Sequence, residues 1–179
     1  MIISVEKLRE RIDCGSMDNE SIKAQLAAIE DVIRQYTNNN FQNRHARFEA
    51  ESDGMNTLLG ASPFIQAGDT VQISQSKVND GLYTVFAVNG EDATILEERI
   101  FGVFYNLVTK VEYPPAVVQC AIDLFEWKQD FGNKVGIKSE SETLSRHSET
   151  ITYEDSNTLY MGFPIGILNG LYLYRKARC

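Results

Sequence analysis

The chain is poor in the side chains that chemistry most often recruits: its 179 residues hold two histidines, three cysteines and one tryptophan. Cys14, Cys120 and Cys179 are odd in number and far apart, which fits reduced thiols and argues against a disulfide framework or a zinc knuckle. Positive charge is also scarce. Seventeen basic residues face 25 acidic ones, for a net charge of −8, so the surface is not one that grips phosphate backbones by counterion release. No apolar run approaches the roughly 20 residues that cross a bilayer. The start, Met1-Ile2-Ile3-Ser4-Val5-Glu6, has neither a basic n-region nor a cleavage site, so retention in the cytoplasm without membrane contact is expected.

Motifs for chemistry are missing as well. There is no G-x-S-x-G elbow, no G-x-x-x-x-G-K-[ST] loop and no G-x-G-x-x-G turn, so acyl transfer and phosphate cradling lack their minimum parts. His45 falls on the polar face of an expected strand and His147 in a polar segment. Cys120 lies in an apolar helix, where burial keeps a thiol protonated and inert. Glu49 with Glu51, and Glu97 with Glu98, read as solvated carboxylates and not as acid–base or metal pairs. The expectation is a protein that is not an enzyme, with no catalytic residue, no metal and no cofactor.

A hydrophobic content of 43% is enough for one core, or for one core plus a small satellite module. The pattern predicts an α+β fold: a small helical scaffold, residues 1–40 with 113–179, interrupted by an inserted antiparallel β module, residues 41–112, forming a small sheet or barrel. Ser4 caps a short helix with Val5, Leu8 and Ile12 on one face, ended by Gly15-Ser16. Asp18 caps a second helix, in which Ile22, Leu26, Ile29, Ile33 and Tyr36 recur at helical spacing until Asn38-Asn39-Asn40; Lys23, Glu30 and Arg34 fall on the solvated side.

From Phe41 the hydrophobic pattern changes from helical to alternating. Ala46, Phe48 and Ala50 alternate with His45, Arg47 and Glu49, and Val71 and Ile73 alternate with polar neighbours. Leu82 to Val88 leads through Asn89-Gly90 into Ala93 to Glu97, which predicts a hairpin with a type I′ turn. A last strand, Phe104 to Tyr113, places Leu107, Thr109 and Val111 on one face. Pro114-Pro115 then opens an apolar helix to about Phe131, closed by Gly132. Pro164 opens a final short helix weakened by Gly166 and Gly170.

Two segments exceed what a core needs. Residues 133–157 are dominated by Ser, Thr, Glu and Lys, and are too long for an idle connection. They predict a flexible arm or irregular hairpin, which is either a disordered surface loop or a segment that orders against a neighbouring subunit. A basic C-terminal tail, residues 174–179, follows Tyr172 and carries Tyr174, Arg175, Lys176 and Arg178. Tyrosine beside arginine is a pairing enriched in interface hot spots.

These motifs together resemble a known family. Tyr113-Pro114-Pro115 leading into a helix with Trp127-Lys128, the arm with Gly136-Ile137, Ser141-Glu142-Thr143 and Ser145-Arg146-His147-Ser148, then Gly162-Phe163-Pro164 and Tyr174-Arg175-Lys176-Ala177-Arg178, are similar to the head-tail connector (adaptor or head-completion) proteins of long-tailed double-stranded DNA phages and prophages. The resemblance covers residues 1–40 and 113–179, with specific matches after 113. It implies a structural virion protein at the head-tail junction, assembled in the bacterial host cytoplasm. Its copies would form a ring of about a dozen on the portal vertex, through which DNA passes as cargo and to which the tail attaches. Implied partners are the portal protein, a tail-proximal connector or tail-completion protein, and other copies of the chain, although isolated subunits can stay monomeric. By the same analogy Tyr174, Arg175, Lys176 and Arg178 would dock on the portal. Ser141, Glu142, Thr143, Ser145, Arg146, His147 and Tyr153 would contact the next subunit or line the channel. Many members of the family have little between the second and third long helices, so the β module is a departure from the pattern.

One rival reading belongs to another class: a free-standing peptide- or carbohydrate-binding module using the β insertion. Exposed, clustered aromatics would favour it, and Phe101, Phe104 and Tyr105 are the candidates. A core or subunit-interface role is the expectation for all three.

Overall fold

The computed structural model describes residues 1–90, 92–132, 139–144, 147–152 and 159–177, with residues 139–144 and 147–152 described by their backbone. It has the expected α+β class, with a closed six-stranded antiparallel barrel and separate helices. The chain divides into two compact units, Met1–Lys7 with Asn40–Pro114, and Leu8–Asn39 with Pro115–Cys179. The first seven residues therefore group with the barrel and not with the helices. Their anchor is Thr70, whose hydroxyl accepts from the Met1 nitrogen (2.6 Å) and donates to the Met1 carbonyl (2.8 Å).

The barrel strands are β1 (Gln42–Ser52), β2 (Thr57–Leu59), β3 (Thr70–Ser74), β4 (Gly81–Asn89), β5 (Ala93–Leu96) and β6 (Asn106–Val111), joined in the order β1-β2-β5-β4-β3-β6. Each strand sends at least one residue into a common core: Ala50, Leu58, Ile73, Val85, Leu96 and Val108 are all buried. The alternation expected for β1 is present, with Ala46 and Ala50 inside and His45, Arg47 and Glu49 outside. The barrel core takes Val108 from β6, the residue between Leu107 and Thr109. Between Asn43 and Arg47 the ladder with β6 shifts register, so His45 sits in a bulge, a feature that lets a long strand bend round a barrel.

Two details differ from expectation. Strand β2 is three residues long, too short for any period to register. The β4–β5 hairpin is present, but Asn89 pairs with Ala93 inside the ladder. The connection is therefore residues 90–92, with Gly90 at φ +61°, instead of a type I′ turn centred on Asn89-Gly90.

Helix α1 (Val5–Arg9) is shorter than the sequence suggests, because the Leu8 carbonyl receives the amides of both Arg11 and Ile12 and turns the chain (2.9 and 3.0 Å). Helix α2 (Asn19–Thr37) begins at Asp18, whose carboxylate accepts from the Ser21 amide at 2.6 Å. That bond holds the Asp18 carboxyl below its usual range. Ile22, Leu26, Ile29 and Ile33 are buried as expected. Glu30 is buried too, against its expected place on the solvated side, because Val32 and Thr37 widen the packed face beyond the central apolar stripe.

Helix α3 (Pro115–Phe131) buries Val117, Cys120, Ala121, Leu124 and Phe125, and α2, α4 (Ile165–Leu168) and a 3-10 helix (Asn169–Tyr174) pack around it. The expected final helix is thus split, with Gly170 in the tighter second part. A two-residue ladder, β9 (Leu159–Tyr160) with β10 (Phe163–Pro164), precedes it. Trp127 lies 6.1 Å from the Phe163 ring. No helix among the described residues is long and apolar enough to cross a membrane.

Burial in α3 pushes the Cys120 thiol from its ordinary value of 9.0 up to about 12, and its sulfur lies 3.7 Å from the Ile167 carbonyl oxygen. A raised folded pKa contributes stability that is complete below pH 9.0 and is lost as pH rises toward 12. Urea unfolding should therefore show stability falling above pH 9.0, with a smaller fall in Cys120→Ala. An identical alkaline slope in the two proteins would contradict this burial.

Candidate functional site

The expected arm contains a regular hairpin, β7 (Ser139–Leu144) paired antiparallel with β8 (His147–Thr152). Ser141 stands opposite Thr150, Glu142 opposite Glu149, Thr143 opposite Ser148, and Leu144 opposite His147. These two strands form their own two-stranded sheet, with no further strand beside them among the described residues. Ser145, Arg146 and Tyr153, expected in the same surface, lie outside the described residues, as does Arg178 of the tail.

The C-terminal tail is clamped to the end of α2. Asn38 caps that helix in the left-handed conformation, φ +49°, and its side-chain amide donates to the Ala177 carbonyl at 3.1 Å. The Asn39 amide group donates to the Tyr174 carbonyl at 3.1 Å. The Lys176 backbone amide donates to the Thr37 carbonyl at 2.8 Å. Above them the Arg175 guanidinium lies 5.1 Å from the Tyr36 ring centre, and the Tyr36 hydroxyl donates to Asn169 at 3.0 Å. The asparagine run that reads as a helix stop is therefore also the clamp for the tail, a second role that needs the fold to be seen.

This clamp leaves a groove of about 570 Å³ lined by Tyr36 and Asn38 on one side and Tyr172, Leu173, Arg175 and Lys176 on the other. Arg175 and Lys176 are exposed. Tyr174 is half-buried, whereas Leu173 is 89% and Tyr172 70% exposed. The apolar contribution of the tail surface thus comes from residues 172 and 173, just ahead of the expected set.

The barrel adds a surface of its own. Antiparallel pairing throughout places the three loops 53–56, 75–80 and 97–105 at one end. A buried polar network ties them together. Asn79 donates to the Phe101 carbonyl (2.8 Å) and to the Asn106 side-chain oxygen (3.1 Å), and accepts from the Phe101 amide (2.8 Å). Asn106, fully buried, donates to the Ala50 carbonyl (3.1 Å) and to the Ser52 hydroxyl (3.2 Å). Ser52 in turn donates to the Phe101 carbonyl at 2.7 Å and accepts from the Val103 amide at 3.0 Å. Gly54, at φ +82°, backs onto Gly102, where an added Cβ would lie 3.4 Å from the backbone nitrogen.

Of the core and subunit-interface roles expected for Phe101 and Phe104, the core is excluded: both are exposed on this framework, at 69% and 88%. Tyr105 is less exposed, and its hydroxyl donates to Glu49 at 3.2 Å. Met55 and Val78 on the two neighbouring loops are exposed as well. The sequence offered little sign of this framework: Asn79 lies in the loop before β4, where asparagine is ordinary, and Asn106 opens β6. Among the described residues, no group of three His, Cys, Asp or Glu side chains gathers as a metal site would require.

Removing the hub of the network should cost what unpaired buried groups cost. Asn106→Leu strips partners from Ala50, Ser52 and Asn79, and should destabilise the barrel by about 1–3 kcal/mol in urea unfolding. An unchanged midpoint would show that the network does not hold the loops. Comparison with protein-family models finds no match, and comparison with curated proteins finds none either.

Proposed function

We propose that this chain is a structural head-tail connector subunit, one copy in a ring that sits on a phage portal vertex, lets DNA pass and receives the tail. The observation that carries this reading is the β7–β8 hairpin. Two strands alone are marginally stable in water, and an open strand edge is a template for pairing with another chain. A hairpin of this kind, with six residues in each strand, is suited to completing its sheet on a neighbouring subunit. Head-to-tail contacts of that type generate rings when the rotation closes.

Three further features support the reading. The sequence motifs after residue 113 resemble that family. The net charge of −8 suits a wall past which DNA slides without sticking. The tail clamp presents Arg175 and Lys176 on a fixed backbone, so docking on the portal would order fewer groups than a free terminus would. The role is one of assembly and involves no reaction, cofactor or metal. The virion, at the head-tail junction, is the proposed location.

A second reading makes the barrel a free-standing peptide- or carbohydrate-binding module, and the exposure of Phe101 and Phe104 is the observation in its favour. The two readings part on assembly. Mixed with its cognate portal protein, the chain should form rings visible by electron microscopy, and a chain lacking residues 174–179 should form at least about tenfold fewer. Full-length chains that leave every portal bare would overturn the connector reading. Rings unaffected by the truncation would remove the tail's role.

A further inference from the structure

We infer that the loop end of the barrel is a docking surface for an apolar segment of another protein that is flanked by basic residues. This deepens the second reading, in which the barrel binds a peptide, and does not depend on the connector reading. Exposed phenylalanines scattered singly would need no explanation. Here Phe101, Phe104, Met55 and Val78 come from three loops locked to one another. The Ile100 amide donates to the Met55 carbonyl at 2.7 Å, and Asn79, next to Val78, holds both backbone groups of Phe101. An apolar patch on a rigid framework pays little ordering cost on binding. The framework is strained in places: Gln75 and Lys77 both adopt positive φ, +63° and +71°, in the loop that presents Val78, a conformation rare outside glycine and held only where surroundings enforce it.

Charge selects the occupant. The same three loops carry Asp53, Asp80, Glu97 and Glu98 against Lys77 and Arg99, so the apolar tips stand in an acidic rim. A second copy meeting this face with its own would set acid against acid. Nucleic acid and anionic lipid would be repelled for the same reason. A segment with aromatic or aliphatic residues at its centre and Lys or Arg at its edges satisfies both parts of the patch, in the arrangement of apolar core and polar rim common to protein interfaces.

The test uses the full-length chain, isotope-labelled for amide NMR, and two synthetic peptides with the same apolar residues, one flanked by lysines and one by glutamates. The lysine peptide should shift amides in residues 53–56, 75–80 and 97–105, and raised sodium chloride should weaken its binding. The chain with Phe101→Ser and Phe104→Ser should bind it at least about tenfold more weakly. Both side chains are largely exposed, so this variant keeps its core, and an unchanged amide spectrum elsewhere would verify that. Equal binding of the glutamate peptide, binding insensitive to the two substitutions, or no shift at these loops would overturn the inference. So would self-association through this face, seen as the same amides shifting with protein concentration alone.

Discussion

The pairing of β1 with β6 is the constraint on which the architecture rests. These strands lie more than 50 positions apart, yet they run side by side from Gln42 opposite Val111 to Ala50 opposite Asn106. Closing that ladder does two things at its two ends. At one end it brings the chain's entry and exit together: the Glu112 amide donates to the Phe41 carbonyl at 2.9 Å, and the Phe41 and Tyr113 rings stand 5.1 Å apart. A module whose ends meet can be inserted into a connection between helices without prising them apart. At the other end the ladder delivers Asn106 to the point where Ser52 and Asn79 meet it. The loop surface of the barrel is thus a consequence of the same closure that makes the barrel an insertion.

Much of the fold was legible in the residues because local and global signals agree. Asp18 caps α2 and the Ile22-Leu26-Ile29-Ile33 stripe is buried, since capping and helical periodicity are local physics. Pro115 opens α3 at its first position. The change of hydrophobic period at Phe41 comes one residue before β1 begins at Gln42. What escaped was set by distant contacts. Strand β2 forms only because β1 and β5 flank it. Met1–Lys7 joins the barrel unit through Thr70, more than 60 residues away in sequence. Glu30 looks like a surface carboxylate in a helical wheel and is buried by the breadth of the packed face.

The candidate surfaces divide along the same line. Arg175 and Lys176 were legible as exposed cations in a tail, but their clamp depends on Asn38 and Asn39, whose local signal is only that of a helix end. For Phe101 and Phe104 the sequence left a core or a subunit-interface role open, because large aromatics between strands usually pack against something. The buried polar network decides against the core: Asn79 and Asn106 are buried in the framework of the loops, and both phenylalanines are exposed on it. Such a network is costly unless every member is paired, and here both asparagine side chains donate and accept.

The assembly reading rests on a hairpin whose two strands pair with each other and with no further strand among the described residues. Amide hydrogen exchange reads its outer edges directly. In the isolated chain the outward-facing amides of Ser139–Leu144 and His147–Thr152 should exchange fast, and in rings assembled on the portal they should become protected. Equal exchange in the two states would contradict the role assigned to the arm.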